Sequence, residues 1–227
     1  MLIRHGQTAS NVAHRLDSAV PGPNLTVLGA EQAAAIPRAL DGVPIDAIYA
    51  STQTRAQLTA APLARDRGLP VLIRSGLREV FAGDLEGRTD AESGEAYLHT
   101  VLSWPAGDLA RRMPGGEDGS EVLSRFDSVV SEVAASAARS VVIVSHGAVI
   151  RVWSTTRAAN LDAGFAAANP LSNTGMVVLE GDPAAGWRAV SWAGEAVGGP
   201  RLADAEDDGP AGKPVWSGAA GVDDRGF

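Results

Sequence analysis

The chain contains no cysteine. Disulfides, thiolate-bound zinc and a thiol nucleophile are thereby excluded, while the redox compartment is left open. Lysine is almost absent: of 19 basic residues, all but Lys213 are arginine. An Ala- and Arg-rich composition fits a GC-rich genome, so each arginine must be judged by its position. Histidines number only 4, and they too can be read one at a time. No apolar run approaches the roughly 20 residues that cross a bilayer, and the stretch Gly6 to Asn11 is polar where a signal peptide would be apolar. A cytoplasmic protein without a membrane partner is the expectation. The net charge of −8 argues against a nucleic-acid partner.

The 227 residues are enough for a large domain with a real core. Met1-Leu2-Ile3 reads as a short buried strand, and Thr8 to Arg15 as a helix capped by Thr8. Asp17 to Asn24 is a loop by its Pro and Gly. Thr26 to Leu40 is amphipathic, with Leu28, Ala33, Ile36 and Leu40 on one face. Ile45 to Ala50 is a strand, Thr52 to Gly68 a helix and Val71 to Ile73 a short strand. Phe81 to Pro114 reads as irregular, given its scattered Gly and Pro. Ser120 to Ala138 is a long helix, Val141 to Ser145 an apolar strand and Ala148 to Arg157 the helix after it. Met176 to Glu180 and Trp187 to Trp192 form a hairpin across "GDPAAG". Strands alternating with helices predict an α/β fold: a three-layer sandwich with a mostly parallel central sheet flanked by helices. Residues 1–193 are expected to form the catalytic domain. Residues 194–227 read as a low-complexity C-terminal tail, with Val215 and Trp216 as its apolar anchor and Asp204 to Asp208 as an acidic stretch able to enter an empty anion pocket.

Two strands end alike, in Arg4-His5-Gly6 and in Ser145-His146-Gly147. Ligands of open α/β sheets sit beyond the carboxyl ends of the strands. Each His is followed by a Gly, which permits a sharp turn, and then by a helix whose N-terminus attracts anions. Arg55 opens the helix after a third strand and can face the same mouth. A neutral His5 can attack phosphorus, with Arg4 neutralising the phosphoryl oxygens. "LREVFAGDLEG" offers Glu79 and Glu86 as general acids. Any one of these residues alone is ordinarily structural or solvated. Their joint placement at successive strand ends is what points to chemistry.

The segments "LIRHGQTASN", "LTVLGAEQA", "YASTQTRAQLTA", "LREVFAGDLEG" and "VVIVSHGAVIR" resemble the signature segments of the histidine phosphatase superfamily, and more closely its phosphoglycerate-mutase-like branch, over about residues 2 to 180. The acid-phosphatase branch usually carries His-Asp where this chain has His146-Gly147. The resemblance implies that His5 is the phosphorylated nucleophile and Glu79 the proton donor. It implies a phosphate pocket of Arg4, Asn11, Arg55, His146 and Gly147, with no metal and no cofactor. His14 and His99 match no site of the family. "PGGEDGSEVLSRF" resembles the family's Pro-Gly-Gly-Glu segment near the pocket, and for its Glu117 a structural role is expected ahead of a place in the site.

Two departures separate the chain from the mutases. Where those usually carry a small hydroxyl residue and a Gly, this chain has Leu16-Asp17-Ser18, and an Asp17 carboxylate would repel a phosphate dianion unless it points away. The stretch Arg88 to Pro114 is also short for the insert associated with mutases. The expected function is hydrolysis of a small phosphorylated metabolite, a phosphomonoester, through phosphohistidine. A cofactor-dependent phosphoglycerate mutase is the alternative, and a non-catalytic phospholigand-binding protein a more distant one. A homodimer is the assembly left open.

Overall fold

A computed structural model describes residues 1–204 and 208–212. Six strands form one sheet in the order β3-β2-β4-β1-β5-β6. The parallel part comprises β1 (Leu2–Arg4), β2 (Ala47–Ser51), β3 (Val71–Arg74) and β4 (Val141–Ser145). The hairpin β5 (Met176–Asp182) and β6 (Gly186–Ala193) adds two antiparallel strands beside β1. The α/β sandwich expected from the alternation of elements is the observed architecture.

Burial explains why the central strands are uninterrupted apolar runs. Side chains alternate between the faces of a strand, so both faces of β4 must be covered. On one face Ile3, Ile48, Ala50, Val142 and Val144 pack with Ile36 of α2 (Val27–Ala39) and with Ala56, Ala60 and Leu63 of α3 (Thr54–Arg67). On the other, Leu2, Tyr49 and Ile143 pack with Phe126 and Val130 of α5 (Gly119–Ala135) and with Ile150 and Trp153 of α6 (Gly147–Arg157). The helix ends follow sequence signals. Thr8 caps α1 (Ala9–Val12), Thr26 caps α2, and Gly68 closes α3 in the left-handed conformation at φ 65°. Among the described residues no helix is long and apolar enough to cross a membrane.

The stretch from Phe81 to Pro114 departs from expectation. It contains α4 (Ala91–Ser103), capped by the Asp90 side chain, which accepts from the Ser93 amide. Tyr97, Leu98, Val101 and Leu102 face the core, at helical spacing. The glycines that suggested irregularity flank this helix, except Gly94, which lies within it. A short α7 (Ala163–Ala168) was also not foreseen, since an alanine run carries little periodicity. The chain after β6 lies along the carboxyl ends of the strands. Gln32 Nε2 donates to the Leu202 carbonyl at 2.8 Å and Gln7 Nε2 to Asp204 Oδ2 at 3.0 Å. Val215 and Trp216, expected to anchor this tail, lie outside the described residues.

The turn after β1 sits directly on α2. A Cβ on Gly6 would lie 2.6 Å from the Gly29 carbonyl oxygen, and one on Gly29 would overlap the Gln7 carbonyl. This backbone-to-backbone approach has no flexible side chain to yield, and it sets the position of His5 relative to α2. Gly29→Ala is therefore expected to destabilise the protein by about 1–3 kcal/mol, the usual cost of overpacking. Denaturant unfolding reads the change, and an unaltered midpoint and slope would contradict the contact.

Candidate active site

His5 follows the last residue of β1 and is 4% exposed. Its backbone amide donates to the Ser145 carbonyl, and its own carbonyl accepts from Asn173 Nδ2 at 2.9 Å. Its Nδ1 lies 2.7 Å from the Gly6 carbonyl oxygen. A carbonyl can only accept, so Nδ1 carries the proton and Nε2 keeps its lone pair. Arg55 Nε donates to that Nε2 at 3.1 Å. Burial, reinforced by the charges of Arg55 and Arg4, holds the His5 imidazole well below its usual pKa, against the Gly6 contact that raises it. The ring is therefore neutral near neutrality, with its basic nitrogen turned toward the Arg55 guanidinium.

The other expected residues surround it. His146 immediately precedes α6 and is fully buried, with its ring centroid 5.1 Å from that of His5. Its Nε2 shares a 2.8 Å hydrogen bond with Ser51 Oγ, while Nδ1 has no hydrogen-bond partner among the described residues. Burial and then the positive charge of Arg55 lower its pKa well below the ordinary value. Arg55 Nη2 donates to the Asp17 carbonyl at 2.8 Å, and Nη1 has no hydrogen-bond partner among the described residues. Arg4 Nη1 donates to the Leu171 carbonyl at 2.6 Å and Nη2 to the Asp208 carbonyl. Arg4, His5, Asn11, Arg55 and Glu79 all line a cavity of about 50 Å³, whereas His146 and Gly147, at the start of α6, are not among its lining residues.

The two candidate acids separate clearly. Glu79 lines the cavity and is held by three amides: those of Val80 and Val149 at 2.9 Å and Ala148 at 3.1 Å. Two of these come from the first turn of α6, so the carboxyl group is fixed in place against that helix. Glu86 instead accepts from the Ser18 amide and hydroxyl and from the Ala19 amide, so it braces a loop. Asp17 does reach the cavity. Its Oδ2 accepts from Ser10 Oγ at 2.6 Å and its Oδ1 lies 4.0 Å from Arg55 Nη1, so its charge faces a cation. Glu117 is structural, as expected. It receives Arg125 Nε at 2.8 Å, and Arg125 in turn donates to the carbonyls of Gly76, Arg78 and Glu79. His99 is exposed on α4, and His14 is not among the cavity residues. Among the described residues no group of three or more His, Asp or Glu is placed to hold a metal ion.

Several supporting residues escaped the sequence reading. Gln53 accepts the Glu79 amide at 2.9 Å and donates to the Ser18 carbonyl, joining two walls of the cavity. Thr59 accepts the Gly6 amide at 2.9 Å. Asn173 reaches His5 from the turn before β5. Gln53 and Thr59 stand in the quoted segment "YASTQTRAQLTA", where Arg55 drew the attention. Asn173 has no local signal; it is far from His5 in sequence and near only in the fold.

Comparison with known proteins places this geometry. The family model described as histidine phosphatase superfamily (branch 1) matches residues 1–194. The Mycobacterium tuberculosis protein PE_PGRS11 is 34% identical over 86% of this chain, and the chain spans only 36% of that protein's length. The adenosylcobalamin/alpha-ribazole phosphatase of Escherichia coli is 33% identical over 66% of this chain and 73% of its own. Among solved structures, a mycobacterial glucosyl-3-phosphoglycerate phosphatase complexed with VO3 superposes with a TM-score of 0.72 at 31% identity, covering 85% of this chain and 96% of that one.

The depressed pKa values carry a sign that can be checked. His5 and His146 are expected to stay neutral at pH 6.5, where a free imidazole is about half protonated. His5 should show Nδ1 protonated and Nε2 bare. Nitrogen-15 NMR of labelled histidines reads both features. An imidazolium signal for either residue at that pH would contradict the burial and charge argument.

Proposed function

The chain belongs to the histidine phosphatase superfamily, and from that premise we propose that it is a metal-independent phosphomonoester hydrolase working through a phosphohistidine at His5. The observation that carries the reading is the pairing of a bare His5 Nε2 with the Arg55 guanidinium at 3.1 Å. That is where a phosphoryl group, bringing its own negative oxygens, takes over the guanidinium.

In the first half-reaction His5 Nε2 donates its electron pair to phosphorus. The bond from phosphorus to the ester oxygen breaks on the opposite side, and that oxygen takes the proton of the Glu79 carboxyl group to leave as an alcohol. The imidazole ring gains positive charge, which the Nδ1–H bond to the Gly6 carbonyl helps to hold. In the second half-reaction Glu79, now a carboxylate, removes a proton from water. The water oxygen bonds to phosphorus, and the nitrogen–phosphorus pair returns to Nε2. Arg4, Arg55 and the Asn11 amide meet the phosphoryl oxygens throughout. His146 Nδ1, which has no hydrogen-bond partner among the described residues, donates to one oxygen when it carries the ring proton. The Gly147 amide at the N-terminus of α6 adds a backbone donor. The buried arginines supply the charge that a metal supplies elsewhere.

The substrate is read as a small phosphorylated metabolite. Two of the relatives named above are a glucosyl-3-phosphoglycerate phosphatase and an adenosylcobalamin/alpha-ribazole phosphatase, and the narrow cavity suits a phosphoryl group with its leaving group outside. The phosphatase reading is favoured over a mutase by Asp17. It occupies the place of a phosphate-contacting residue in the mutases, and its carboxylate lies beside Arg55.

A panel of small phosphomonoesters incubated with the protein and EDTA tests this. Release of inorganic phosphate from at least one is expected, without a divalent ion. No release, or release only on adding a metal, would overturn it, and transfer to a glycerate without free phosphate would make the protein a mutase. Arg55→Ala should weaken inhibition by orthovanadate about 10- to 150-fold, the value of one or so charge-assisted hydrogen bonds. An unchanged inhibition constant would remove Arg55 from the phosphate seat.

A further inference from the structure

Arg4 Nη2 and Asn11 Nδ2, two donors assigned to phosphate, converge on one oxygen that belongs to the protein itself. It is the main-chain carbonyl of Asp208, which accepts from Arg4 Nη2 and lies 3.5 Å from Asn11 Nδ2. Asp208 is only 1% exposed. Its Oδ1 accepts the Asn173 amide at 2.9 Å, and Oδ2 has no hydrogen-bond partner among the described residues. The chain then turns at Gly209, at φ 71°, and Gly212 donates its amide back to the Gly209 carbonyl at 3.1 Å. Pro210 joins the lining of the cavity and rests beside Gly94 of α4.

We propose that the segment Asp208–Gly212 is a built-in competitor of substrate, with the Asp208 carbonyl oxygen standing where a phosphoryl oxygen binds. The inference rests on the assignment of Arg4 and Asn11 to phosphate. Three features support competition rather than a permanent wall. The contacts to Arg4 and Asn11 are made by a backbone carbonyl, the neutral counterpart of a phosphoryl oxygen. The Asp208 carboxylate is buried close to Arg4, so an arriving phosphate dianion repels it while competing for the same cation. The side-chain anchor seen among the described residues, Asp208 Oδ1 accepting from the Asn173 amide, is adjacent to the site and is not one of the groups placed in the chemistry. The plugged protein is therefore a resting state, and phosphate and the segment exclude each other. Apparent affinity for substrate is reduced by the fraction of molecules that are plugged.

Two full-length variants and one measurement on the unaltered protein test this. Asp208→Ala removes the anchor to Asn173. Gly209→Val places a branched side chain at a positive φ, with its Cβ about 3.0 Å from Asn11 Nδ2. Both should lower the apparent dissociation constant for inorganic phosphate by about threefold or more, lower KM for a hydrolysed phosphomonoester in parallel, and leave kcat within about twofold. In the unaltered protein, saturating orthovanadate should speed hydrogen exchange at the amides of Gly209 and Gly212. Phosphate binding that is unchanged or weaker in both variants, or slowed exchange at those amides, would overturn the proposal while leaving the phosphatase reading intact. If the unaltered protein and both variants fail to bind phosphate at all, the phosphate seat itself is wrong and both readings fall.

Discussion

The hydrogen bond from His5 Nδ1 to the carbonyl of the next residue, Gly6, is the constraint on which the rest of the site depends. It decides the tautomer and so decides which nitrogen attacks. It is possible only because the chain turns sharply after β1, and that turn is pressed against α2 through Gly6 and Gly29 with no side chain between them. The Thr59 hydroxyl accepts the Gly6 amide from the α3 side, and Asn173 donates to the His5 carbonyl from beside β5. Three separate elements thus fix one imidazole. Burial keeps that ring uncharged, and the nearby arginines keep it so even in a site built to hold an anion.

The same logic governs the arginines. Arg4 and Arg55 are almost fully buried, a costly state for a charge unless it is paired. Each is met by backbone carbonyls as well as by carboxylates nearby: Leu171 and Asp208 for Arg4, Asp17 for Arg55. The carbonyls neutralise part of the charge, and at Arg55 the Asp17 carboxylate adds an ion pair at 4.0 Å. Arg55 Nη1 and His146 Nδ1 have no hydrogen-bond partner among the described residues. Buried donors without a hydrogen bond are rare in folded proteins, and both of these belong to side chains that flank His5. On the opposite wall, Glu79 owes its place to Arg125 and Glu117, a half-buried pair that ties the loop of Glu79 to α5.

Much of this was legible in the residues because the parallel sheet turns strand ends into neighbours. Arg4-His5 and His146 follow the ends of β1 and β4, which pair directly, and Arg55 follows β2, which pairs with β4. A reading that places apolar runs side by side therefore brings these groups together without knowing a single distance. What was not legible depends on tertiary contact alone. Glu79 and Glu86 share one local pattern, and only the amides of α6 distinguish them. Asn173, Gln53 and Arg125 act through partners 26 to 168 residues away. The α4 helix was obscured by glycines around it, although Asp90 and the spacing from Tyr97 to Leu102 marked it. The acidic stretch near Asp208 was expected to be able to enter an empty anion pocket, yet the contact with Arg4 is made by its backbone, which no composition could indicate.

The central claim is that His5 Nε2 carries the phosphoryl group between substrate and water. The most direct measurement is acid-free quenching of the protein during turnover of a phosphomonoester, followed by peptide mass spectrometry. The account predicts a phosphoryl group on the peptide bearing His5, stable in alkali, lost in acid, and absent from His5→Ala. A phosphoryl group on any other residue, or turnover by His5→Ala at a rate comparable to the unaltered protein, would contradict it.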